Sequence, residues 1–74
     1  MDWRKYISVD PEVMHGAVCV AGTRIPVSVV LDNLAAGMSH DELMAEYASL
    51  SREGIAATLA YAAELTRERV IALP

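Results

Sequence analysis

The sequence predicts a mainly α fold, a three-helix bundle of the helix-turn-helix kind behind short N-terminal β-strands, and three observations point there. A Pro-initiated apolar stripe runs to Gly37, a capped second helix begins two residues later, and a third stripe follows a three-residue break. The 74 residues are read as a single unit, with residues 1–25 as an N-terminal β element and 26–74 as the helical bundle.

The N-terminal element comes first. Ile7 and Val9 alternate with Ser8 and Asp10, the period-2 signal of a short strand, and Asp10-Pro11 marks a turn. Val13 to Val20 is apolar and β-branched around His15-Gly16, which predicts a second strand near 17–21. A two-stranded ribbon is barely stable alone and needs something to pack on. Thr23-Arg24 then forms a turn, where Arg24 either bridges carbonyls of the N-terminal segment, pairs with Asp10 or Glu12, or stays available to a partner.

From Pro26 the period changes. Val27, Val30, Leu31 and Leu34 recur at helical spacing, Pro26 suits the first turn and Gly37 suits a left-handed end, giving a first helix over about 27–36. Ser39 and Glu42 make a capping box, with Leu43, Met44 and Tyr47 on the buried face of a second helix over about 40–47. After Ala48-Ser49-Leu50, Ser51 caps a third helix over about 52–65. Its expected buried stripe is Ile55, Leu59, Ala62 and Thr66, extendable to Val70 or Leu73. Ala56, Ala57, Ala60 and Ala63 make this helix apolar nearly all round. It is read either as covered on more than one side or as an alanine-rich helix tolerated in solvent.

Composition bounds the function. A chain this short hides only about 60% of its unfolded-state surface when it folds alone, so a disulfide, a metal or a partner usually supports it. Cys19 is the single cysteine, which excludes a disulfide within the chain and fits either a reducing cytoplasm or simply a small buried apolar residue. His15, Cys19 and His40 do not form the two close ligand pairs of a closed zinc site, so no metal is expected. Oligomerisation is left, and hydrophobic residues at 54% with much Ala and Val suit a homodimer. No apolar run reaches the roughly 18 residues of a membrane span and no signal-peptide pattern precedes the domain, so no membrane and a cytoplasmic setting are expected. Neither a nucleophile motif nor a phosphate loop occurs, and a bundle this small has little room for a substrate pocket of about 300 Å³. No enzyme and no cofactor is expected.

DNA binding is the serious candidate chemistry. In a helix-turn-helix the start of the third helix meets base edges, which here offers Ser51 and Arg52 with Ala56 and Ala57 behind them. Arg24, Arg4 and Lys5 are candidate phosphate contacts. Against it stand Glu53, the helix-loosening Gly54 and a net charge of −4, because phosphate binding needs clustered Lys and Arg. Trp3, Tyr6 and Tyr61 are the candidate protein-interface anchors, although Trp3 can equally staple a small core.

Ile7 through Leu65 resembles the bacterial and archaeal family catalogued as domain of unknown function 433. The resemblance rests on Asp10-Pro11-Glu12-Val13, Ala21-Gly22-Thr23-Arg24-Ile25-Pro26-Val27, Leu34-Ala35-Ala36-Gly37-Met38-Ser39, Tyr47, Leu50-Ser51 and Ala60-Tyr61-Ala62-Ala63, in order and without gaps. The sequence departs from the family pattern at His15-Gly16-Ala17-Val18, where a basic residue and a turn proline are missing. It departs again at Ala48, where the family has proline, and at Gly54, where it has an acidic residue. The resemblance implies a homeodomain-like fold, usually dimeric, and an antitoxin of the VapB type encoded beside a PIN-like ribonuclease-type toxin. By analogy the chain would neutralise that cognate toxin by protein–protein binding and regulate its own operator DNA. The rival readings are a stand-alone DNA-binding transcriptional regulator and a dimerisation or adaptor module that binds no DNA.

Overall fold

The computed structural model describes residues 1–67, and they form three helices behind a two-stranded antiparallel sheet. A short 3₁₀ turn over Trp3–Lys5 leads into β1 (Ile7–Val9), and β2 (Val18–Val20) returns beside it. The helices are α1 (Val27–Ala35), α2 (His40–Glu46) and α3 (Arg52–Arg67). The predicted first and second helices each end one residue early, and α3 runs two residues beyond its predicted end. The suggested continuation through Val70 or Leu73 lies outside the described residues.

Local chemistry explains these boundaries. Gly37 sits at φ 97° just past α1; its N–H donates to Leu34 O and the Met38 N–H donates to Asn33 O, both at 3.0 Å. That is a Schellman ending, which only a residue at ease with positive φ closes without strain. Ser39 then caps α2 reciprocally: its Oγ accepts the Glu42 N–H and Glu42 Oε1 accepts the Ser39 N–H, each at 3.1 Å.

The hairpin reverses through a turn whose left-handed geometry the sequence did not disclose. Met14 (φ 49°), His15 (φ 57°) and Gly16 (φ 81°) all take positive φ. For Met and His this conformation is strained by Cβ crowding against the backbone.

The core is Val20, Ile25, Val30, Leu43, Leu50 and Ile55, with Leu34, Met38, Met44 and Tyr47 packed around it. It joins every element from β2 onward, so the hairpin gains through Val20 the support that a lone ribbon lacks. The predicted stripe of α3 needs correction. Ile55 is buried, but Leu59 and Thr66 are exposed, and Gly54, Ile55, Ala57 and Thr58 form the buried side. Gly54 contributes to this. A Cβ there would lie 3.0 Å from Val20 Cγ1, so the missing side chain lets this side of α3 approach the sheet closely.

Candidate functional site

Three surfaces collect the residues singled out by the sequence. The first is the connection from α2 to α3. Ser51 Oγ accepts the Gly54 N–H at 3.0 Å and so caps α3. Arg52 Nη2 lies 2.6 Å from Asp41 Oδ1 in the first turn of α2, an exposed pair that ties the two helices together. Two of the three predicted DNA-contacting residues therefore already hold bonds within the chain. Exposed ion pairs are weak, so Arg52 can exchange Asp41 for another anion, yet Asp41, Glu42 and Glu53 keep this end of the fold acidic.

The second surface is an open cleft of about 580 Å³ on the outer side of the hairpin. It is lined by Ser8, Asp10, Cys19, Thr23, Arg24 and Ser49, among others. The Ala21-to-Pro26 motif shapes one wall. Gly22 takes φ 77°; Thr23 Oγ1 donates to Val20 O at 2.7 Å and accepts the Ile25 N–H at 3.0 Å. Ile25 is thereby turned into the core and Arg24 outward. Arg24 forms no ion pair among the described residues. Of the alternatives for Arg24, neither the pairing with Asp10 or Glu12 nor the bridging of carbonyls occurs among the described residues, and Asp10 Oδ1 accepts the Glu12 N–H at 2.9 Å. Arg24 and Asp10 face one cleft, and Ser49 brings the α2–α3 connection to its rim. Cys19 is a buried free thiol.

The third surface is aromatic. The Trp3 and Tyr61 rings sit 5.0 Å apart at 60°, and the Arg4 guanidinium lies 4.7 Å from the Trp3 centroid. The N-terminal turn is thus clamped to α3, which favours the staple reading of Trp3. Both rings are half-buried and keep one side available. Tyr6 is also half-buried, and its carbonyl accepts the Ala21 N–H at 2.7 Å, extending the hairpin by one bond.

Sequence reasoning missed Leu65. Gly54, Thr58, Tyr61 and Leu65 follow one another at four, three and four residues, so they share a face of α3. Gly54 and Thr58 are buried on that face, whereas Leu65 is 44% exposed beyond the bundle. Leu59, on another side, is 42% exposed. The spacing was present in the sequence, but a glycine at its head hid it. Among the described residues no three His, Cys, Asp or Glu side chains gather as a metal site.

The chain matches the family model described as "Protein of unknown function (DUF433)" over residues 7–62. Its fold is similar to the crystal structure of a DUF433 member protein from Anabaena variabilis ATCC 29413, with a TM-score of 0.75 and 28% identity. That likeness covers 85% of this chain and 62% of the other, so the chain spans less than two thirds of the length of the protein it resembles. No curated protein matches.

Proposed function

The chain belongs to the DUF433 family, and on that premise we propose that it is the antitoxin half of a type II toxin–antitoxin pair, neutralising a PIN-like ribonuclease-type toxin by protein–protein binding. The observation that carries this reading is the uncovered apolar face of α3, where Leu65 continues the buried line of Gly54 and Thr58 beside the half-exposed Trp3–Tyr61 pair. Aromatic and aliphatic groups that are already ordered lose little freedom on binding, which suits them as anchors. Arg24 supports the same reading as a cation at a cleft with no ion pair among the described residues, chemically suited to the acidic metal site of such a ribonuclease.

Operator binding is the secondary activity in this proposal. α2 and α3, joined through 47–51, serve as a homeodomain-like helix-turn-helix, and a dimer would present two of them. The Arg52–Asp41 pair and the acidic first turn of α3 weigh against a stand-alone regulator and toward protein binding as the main role.

The test is co-expression with the product of the adjacent reading frame, tagging only that product. A stoichiometric complex by size exclusion, with the partner's ribonuclease activity suppressed, is the expected result. Failure of the tagged product to retain this chain would remove the antitoxin reading. A gel shift with the chain's own upstream DNA would then separate regulator from adaptor.

A further inference from the structure

The outer edge of β1 is the most specific unfilled feature of the fold. β2 is paired on both sides: its neighbours are β1 on one and the Ile25–Pro26 segment on the other, where the Val20 N–H donates to Ile25 O at 3.0 Å. Backbone direction alternates along a strand, so with Val20 facing Ile25, Cys19 must face its register partner Ser8. The amides and carbonyls of Ile7 and Val9 then point away from β2, and no bond to them from beyond the hairpin occurs among the described residues. Within Ile7-Ser8-Val9 there is no Lys, no Pro and no bulge, and Val9 is 62% exposed, so this short edge can still accept a strand.

We propose that this edge docks a second copy of the same chain, β1 against β1, antiparallel, with the two-fold axis at Ser8. The register follows from which groups are free. Ile7 of one copy and Val9 of the other exchange N–H and C=O in both directions, and by symmetry the second pair does the same, giving four intermolecular bonds around a non-hydrogen-bonded Ser8–Ser8 centre. Charge fixes the direction. Arg4 and Lys5 precede β1 whereas Asp10 and Glu12 follow it, so antiparallel pairing sets each basic end beside an acidic one. Parallel pairing would oppose like charges. This partner also covers the exposed Val9 and extends the two strands into a four-stranded sheet. The proposal does not rest on the antitoxin reading, and α3 stays free for another partner.

The test is a cross-link at the axis. Ser8→Cys in a Cys19→Ala background places two thiols about 4.5 Å apart between Cα atoms, within disulfide reach. Mild oxidation should convert the chain to a covalent dimer on a non-reducing gel. Asp32→Cys, exposed on α1, should stay monomeric in the same background. Val9→Pro removes an N–H that the hairpin does not use, so helicity should persist while sedimentation falls from two chains to one, a loss of at least roughly tenfold in affinity. The double change Arg4→Glu with Lys5→Glu should dissociate the dimer at low salt, and adding Glu12→Lys should restore it. A wild-type chain that sediments as a monomer at every soluble concentration would overturn the proposal and leave the edge to a strand from another protein. So would a dimer that ignores Val9→Pro and does not cross-link at Ser8.

Discussion

Two residues show how differently a sequence discloses its chemistry. Ser39 is legible, because a capping box is a spacing of three and the structure forms both of its bonds. Ser39→Ala should cost about 1 kcal/mol by urea unfolding, a loss typical of a removed cap. The Ser39 N–H donating to the Glu42 carboxylate, followed by the Ser39 hydroxyl, holds that carboxyl below its ordinary value of 4.5. A depressed folded pKa means that the bonus is complete above pH 4.5 and is lost as pH falls through the lower folded value. Glu42→Gln should therefore flatten the stability profile in that window, and an unchanged profile would refute the assignment. Gly54 is not legible, since a glycine near a helix start reads as a weakness. An ordinary helix gains up to about 1 kcal/mol from Gly→Ala. Here the new Cβ meets Val20 Cγ1 at 3.0 Å and Ser51 Oγ at 3.3 Å, so Gly54→Ala should show no such gain. Gly54→Leu should lose about 1–3 kcal/mol. Relief of the Gly54→Ala effect in a Val20→Ala background would locate the strain at that contact.

At the scale of elements, α1 and α2 were readable because their apolar residues are large and leave a clear stripe, with Val27, Val30 and Leu43 buried as expected. α3 was not, because alanine and glycine give nearly every face the same weight, so tertiary packing rather than hydropathy chose the buried one. The left-handed turn at Met14-His15 was hidden for a different reason: local propensity argues against it, and the closure between β1 and β2 imposes it. The N-terminal turn tests how elements are joined at long range. Its anchor is one aromatic pair, so a Trp3→Ala and Tyr61→Ala cycle should give a coupling of about 0.5–1.5 kcal/mol. Amide exchange should accelerate over residues 3–6 in either single variant. Zero coupling would mean that the rings touch without stabilising, and would leave partner binding as the role of Trp3.

For the molecule as a whole, charge decides how far DNA can be the target. Among the described residues Arg4, Arg52 and Arg67 lie against carboxylates, which leaves Lys5 and Arg24 as the basic side chains without an ion pair. Each phosphate neutralised contributes about −0.9 to the slope of log affinity against log salt. If only these two cations per chain reach phosphate, a pair of chains should show a slope no steeper than about −4. In fluorescence anisotropy on the upstream DNA, Arg24→Ala should make that slope shallower by about 2 for the pair of chains, whereas Arg52→Ala should leave it nearly unchanged. A slope near −8 would mean that Arg52 and the other paired cations abandon their carboxylates for phosphate, which would promote the helix-turn-helix to the primary function. A slope near zero with a persistent complex is unphysical for an acidic chain on DNA. The choice therefore lies between weak, shallow binding beside a tight protein partner and steep binding by a regulator, and the salt titration distinguishes them before the partner is identified.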